Sequence, residues 1–336
     1  MENENHEEHL HYVHKKQADY SIPLAIVVAS VLIASTWLYT SRRNNPSQVV
    51  AQKNVAQKVQ VSALEEAVAP TEGVVLPVTW GDLGLQLTKN GTIDAQKFQS
   101  MYESRGQFTE EEKRLLLNSN NGKLKITKEN SGYILNLLWA LGLANSNPIL
   151  DNGEMVDPRY GGAQNFASTG GWTIAVGSAM NHYSKHAMIP LTAEQQALVD
   201  KVSRNIYRPC CGNSTHFPDC NHGMAMLGLL ELMASQGVSE QEMYKAALTV
   251  NSYWFPDTYM TILEYMKEKG ISWDDTSSPK MILGADYSSG RGFANIASQV
   301  KTQTQSSQSG GGCGVDSGSQ APVAAPAPRQ QSGCGI

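Results

Sequence analysis

The chain is poor in several things, and each shortage removes a class of function. It has no surplus of positive charge: 26 Lys and Arg stand against 31 Asp and Glu, for a net charge of −5. No stretch is dominated by Lys and Arg, so the clustered cations that displace counterions from nucleic acid are missing, and a nucleic-acid partner is not expected. It lacks Gly-x-Ser-x-Gly, His-Glu-x-x-His and a P-loop, which lowers the odds of the common hydrolase and nucleotide-binding chemistries. It lacks Cys-x-x-Cys, so neither a thioredoxin-type pair nor covalent haem attachment is indicated. Its five cysteines are too few and too clustered for a small disulfide-stapled domain, and an odd number cannot all pair internally. No convincing alternating strand is followed by a hairpin turn.

What is present begins with one long apolar run. From Tyr20 to Ser41 there is no charged residue; Asp19 and Arg42-Arg43 bound it. Residues 21–40 at about 1.5 Å per residue span roughly 30 Å, the hydrocarbon thickness of a bilayer. Tyr20 at one end and Trp37 and Tyr39 at the other suit the membrane interface. A cleaved signal peptide competes, but the preceding twenty residues are acidic and the run is long for such a segment. The expectation is a single-pass anchor with the lipid bilayer as partner. Lys15-Lys16 and Arg42-Arg43 balance, so charge does not set the orientation; a tether for an extracytoplasmic domain is the architectural expectation.

The remaining organisation reads as four parts. Residues 1–20 form a polar His/Glu-rich tail, with His6, His9, His11 and His14. Residues 41–78 read as a linker or stalk. Residues 79–301 read as an all-α, irregular helical domain. Residues 302–336 are Gly, Ser, Gln and Pro, expected to be disordered, and hold Cys313 and Cys334 between glycines. On such an arm these two are a candidate redox tail.

Helix starts are marked by capping boxes at Thr109–Glu112, Thr192–Gln195 and Ser239–Glu242. Pro256-Asp257 opens another helix, with Gly270 placed to end it. A last helix is expected over Arg291–Lys301. Residues 146–171 are the longest irregular stretch, a length often functional.

The concentrated chemical signal is the Cys/His loop at 208–222, RPCCGNSTHFPDCNH. Its Cys210, Cys211, Cys220 and His222 give a Cys₃His set of the right number for a closed tetrahedral site, and His216 could replace one cysteine. Soft thiolates and imidazoles suit zinc, copper or an iron–sulfur cluster. The Cys-Cys-Gly triplet resembles a feature of cysteine-rich iron–sulfur domains, yet their further upstream cysteine and downstream Cys-x-x-Cys are absent. A helix is expected to start near His222, with Asn221 or Asp219 as cap, and to run to Ser235. Glu231 on it reads as an exposed carboxylate. His182 and His186 are four apart in an expected helix from Trp172, which would put both on one face as additional ligands. The nearby methionines Met180, Met188, Met224, Met226 and Met233 read first as core filling.

Three functions are open to these residues. A membrane-tethered domain could bind a transition metal through the loop, as a structural, carrier or redox site fed by a metal donor. It could instead be a thiol–disulfide protein with a thiol redox partner, using the loop and tail cysteines. Or it could be a tethered scaffold whose loop chemistry is incidental.

Overall fold

A strand near the start of the domain pairs with one some forty residues later, and helices fill the rest. The computed structural model describes residues 59–300 except Gln107 and Asp274. The expected membrane anchor at 21–40, the His-rich tail, most of the linker, Cys313 and Cys334 lie outside the described residues. Met1–Val61 and Ser62–Ile336 are separate units; only residues 59–61 of the first are described, and the folded domain lies in the second. Among the described residues no helix is long and apolar enough to cross a membrane.

The mostly helical expectation holds, with one addition. Strand β1 (Val74–Gly81) pairs antiparallel with β2 (Asn121–Ile126), from Val74 opposite Ile126 to Gly81 opposite Asn121. Along β1, Leu76, Val78 and Trp80 are buried while Val75 and Thr79 face out, the period of two of a half-buried strand. The register slips between Val75 and Thr79, where Pro77 has no N–H to give the ladder. Residues 74–78, read from sequence as the end of a linker, are therefore the first half of this strand. Between the strands run α1 (Leu83–Lys89), α2 (Ala95–Glu103) and α3 (Glu110–Leu117).

The core is built on two helices, α4 (Ser131–Ala144) and α7 (Asn221–Ser235). From Asn221 to Ala234 every residue of α7 is buried, and α4 is nearly so. A helix apolar all round belongs in the interior, not on a surface. The two cross where each has a glycine. A Cβ on Gly142 would stand 2.0 Å from the Met224 carbonyl oxygen, and one on Gly228 would stand 2.6 Å from that of Leu138. Backbone meets backbone there, and only hydrogen side chains allow it. The methionines Met224, Met226 and Met233 fill this core, as expected.

The short α5 (Pro148–Asn152) and α6 (Ala193–Ser203) flank a long irregular region. Helices α8 (Glu240–Trp254), α9 (Pro256–Glu268), α10 (Ser278–Leu283), α11 (Ala285–Ser288) and α12 (Gly290–Gln299) complete the unit. All three expected capping boxes form, each with reciprocal bonds: Thr109 with Glu112, Thr192 with Gln195 and Ser239 with Glu242. Gly270 takes the left-handed conformation (φ 68°) just past α9.

Two readings are corrected. Residues 172–186 are not a helix: they form turns and a single 3₁₀ turn at Ala179–Asn181. Gly177 (φ 78°) and Ser184 (φ 53°) hold left-handed backbone that a continuous helix cannot contain. Glu231 is not exposed. It is fully buried, and its two carboxylate oxygens accept from Asn147 Nδ2 at 2.5 Å and Asn145 Nδ2 at 3.1 Å. The side-chain oxygens of those asparagines are already taken: Asn145 Oδ1 accepts from the Met188 and Ile189 N–H groups, and Asn147 Oδ1 from the Ile149 N–H and Gln196 Nε2. Helix α7 thereby holds both ends of the 145–189 segment. Burial pushes the Glu231 carboxyl up to about 8, against the downward pull of the two amides.

Candidate metal centre

The loop that carries the cysteines leaves α6 at Ser203 and folds back on itself before α7. Thr215 N–H donates to the Ile206 carbonyl and His216 N–H to that of Ser203, which closes the turn at its base. Neighbouring helices fix its rim: Tyr207 N–H donates to the Leu283 carbonyl, and Gly290 N–H to that of Cys211 at 2.9 Å. Asn251 donates to the Tyr207 carbonyl, while Tyr259 and Ser288 bond to each other at 2.8 Å beneath the loop. The expected helix start is close to right, but the cap is Cys220 itself. Its sulfur accepts from the Gly223 N–H at 3.4 Å.

This arrangement gathers three sulfurs. Cys210 Sγ lies 3.6 Å and Cys211 Sγ 3.9 Å from Cys220 Sγ, and all three fall within 4.8 Å of one another. None of the three is in a disulfide. The adjacent Cys210 and Cys211 thus both face Cys220. Among the described residues this is the one group of three or more His, Cys, Asp or Glu placed to hold an ion. His222, buried under Trp254 and Phe255, brings Nδ1 to 3.9 Å from Cys210 Sγ.

A tetrahedral ion with zinc–sulfur bonds of about 2.3 Å spaces its sulfurs about 3.8 Å apart, and a sulfur and an imidazole nitrogen about 3.5 Å apart. The sulfur separations of 3.6 and 3.9 Å match that scale; His222 Nδ1, 3.9 Å from Cys210 Sγ, stands farther out and is not among the ligand atoms that all lie within 4.8 Å of one another. The three sulfurs are therefore close enough together to hold one soft or borderline ion. An iron–sulfur cluster distributes its thiolates over several irons, and sulfurs this close suit a single ion better.

A functional residue that the sequence pattern does not single out is Arg208. It is fully buried. Its Nη2 donates to Cys211 Sγ at 3.1 Å, Cys220 Sγ at 3.4 Å and Asp219 Oδ1 at 3.0 Å. Asp219 is itself held by Asn213 at 2.8 Å. Room for the guanidinium comes from Gly223, where a Cβ would stand 2.6 Å from Nη2. A buried cation must face negative charge or it destabilises the fold. Here Nε and Nη1 have no hydrogen-bond partner among the described residues, so the Cys220 thiolate and Asp219 carry the compensation. The sequence signal was the cation two positions before Cys210 and the glycine three after Cys220.

The electrostatics follow from these contacts. Hydrogen bonds from Cys210 and Cys211, then the charge of Arg208, hold the Cys220 thiol well below the ordinary range despite burial. Cys211 moves the other way, up to about 12: its bond with Cys210 works downward, but its bond to Cys220 and its burial outweigh that. Arg208 stays firmly charged; burial opposes this, and the three cysteines and Asp219 overcome it.

The other expected ligands lie elsewhere. His216 is turned away from the sulfurs, with Nδ1 2.8 Å from Glu154 Oε2 and Nε2 3.0 Å from Asp200 Oδ1. It ties the 154–156 turn to α6. His182 and His186 meet each other, Nδ1 to Nε2 at 3.1 Å with stacked rings, and His182 Nε2 faces the Val176 carbonyl at 3.1 Å. No third ligand joins them among the described residues.

Comparison with protein-family models, with curated proteins and with solved structures finds no match to this chain.

Proposed function

We propose that this chain is a membrane-tethered helical domain that binds one transition-metal ion through Cys210, Cys211, Cys220 and His222. The single observation that carries the reading is the convergence of three sulfurs, two of them buried, at separations suited to one tetrahedral ion. Zinc–thiolate dimensions suit the sulfur separations, and copper(I) is the alternative that thiolates also favour. His222, 3.9 Å from Cys210 Sγ, would close the set by a small movement of its ring, and a closed set favours a structural or carrier role over catalysis at an open coordination position. Arg208 and Asp219 serve as the outer layer, holding the thiolates in place. The tether is supported by the uncharged run at 21–40 alone.

The test is the metal content of the full chain, purified in detergent without chelator. One ion per chain is expected, lost in Cys220→Ser and weakened in His222→Ala, with a lower Tm in each because site formation is coupled to folding. A full chain that neither retains an ion nor takes up zinc on dialysis would overturn the proposal. So would variants that keep a full complement.

A further inference from the structure

The three thiols have chemistry of their own when no ion holds them. We propose that the ion-free loop is a dithiol that exchanges with a low-molecular-weight disulfide, with Cys210 as the attacking sulfur and Cys220 completing the internal bond. The inference goes beyond metal binding and does not depend on it.

The order of events comes from access. Cys220 is fully buried under the start of α7 and Cys211 is 9% exposed, whereas Cys210 is half-buried at the rim. Beside it, Gly212 is exposed, and a Cβ there would meet nothing within 4 Å. An external disulfide can therefore reach Cys210 over Gly212, but it cannot reach Cys220 without opening the helix start. Behind Cys210, at 3.6 Å, sits Cys220 Sγ. Cys211 is the poorer second partner: it is 3.9 Å from Cys220 and is engaged by Arg208 at 3.1 Å.

The step balances without a further reagent. Cys210 sulfur attacks one sulfur of RS–SR, forming Cys210–S–S–R and releasing one RS⁻. Cys220 sulfur then attacks Cys210 Sγ, forming the Cys210–Cys220 disulfide and releasing the second RS⁻. Two thiols are oxidised, one disulfide is reduced, and the two thiol protons end on the two released thiols.

Oxidised glutathione is the probe, added to full-length chain carrying Cys313→Ser and Cys334→Ser and stripped of metal, so that only the loop reports. Peptide mapping by mass spectrometry should find early glutathione on Cys210 and then a Cys210–Cys220 bond. Cys220→Ser should accumulate the mixed disulfide on Cys210; Cys210→Ser should slow glutathione consumption by at least about tenfold. Because a serine variant could misfold, the map of the unaltered loop is decisive. First glutathione on Cys211 or Cys220, a Cys211–Cys220 product, or an ion-free loop that stays reduced would overturn the proposal. Zinc loading should slow the reaction of the same chain by at least about tenfold, since ligated sulfurs are withheld from attack. A chain that exchanges as expected but never binds zinc would sink the metal reading alone; one that binds zinc but stays reduced when stripped would sink this inference alone.

Discussion

Helix α7 carries two buried polar centres, one at each end of its length. At its start stand Cys220, its partner thiols and Arg208. Eleven residues on, about 16 Å along the axis, stands Glu231 with Asn145 and Asn147. Both take ionisable groups out of water, yet they differ in how the protein satisfies them. Around Glu231 the amides donate to the carboxyl oxygens, and the amide oxygens accept from backbone N–H groups and Gln196. At the thiol centre the sulfurs point at a common spot, and their one strong donor is a guanidinium that itself has buried N–H groups left over. A saturated polar cluster is architecture. Three sulfurs within 4.8 Å of one another beside a buried guanidinium have instead the geometry to hold an ion.

That contrast can be broken at either end. The largest effect is expected from Arg208→Ala. It removes the buried cation, leaves the Cys220 thiolate and Asp219 uncompensated and opens a cavity, so urea denaturation should show a loss of about 3–5 kcal/mol. Next is Glu231→Ala, which strands two buried amides; a loss of about 3 kcal/mol is expected by the same measurement, with metal content unchanged. If Glu231→Ala also emptied the thiol site, the two centres would not be independent.

Glu231 also sharpens the comparison through pH. Its carboxyl is raised from the ordinary 4.5 to about 8, so the folded chain holds a proton that the unfolded chain releases. The stabilisation tied to that proton is complete below pH 4.5 and is lost as pH rises through about 8. In Glu231→Gln, Tm should therefore fall less between pH 5 and 9 than in the unaltered chain. Parallel Tm profiles would show that the carboxyl is ionised in the fold throughout. A smaller effect belongs to the frame that carries both centres: Gly142→Ala forces a Cβ against the Met224 carbonyl and should destabilise by about 1–3 kcal/mol. The smallest is Thr192→Ala, which removes one capping box on α6 and should cost about 1 kcal/mol.

The features legible in the sequence were the local ones. Thr109, Thr192 and Ser239 each announce a helix because the cap and its partner are three residues apart, and all three form. The β1–β2 pair was hidden for the opposite reason. Its strands are separated by three helices, Pro77 interrupts one, and β2 buries only Leu124 and Ile126. The His182/His186 spacing suggested a helix face, but the left-handed backbone at Gly177 and Ser184 depends on turns that composition does not reveal. Glu231 was misread because its burial is set by asparagines more than eighty residues away in sequence. The thiol site lay between these cases. Its ligand types were plain, but the convergence of Cys210 with Cys211 needed the fold, as did the role of Arg208 inside Gly223's missing side chain.

The most direct test of the central claim is metal-edge X-ray absorption on the full chain loaded with one equivalent of zinc. Three sulfur neighbours at about 2.3 Å and one nitrogen at about 2.0–2.1 Å are expected, with one sulfur lost in Cys220→Ser. A shell of oxygen and nitrogen alone, or one unchanged by that substitution, would place the ion elsewhere and contradict the assignment.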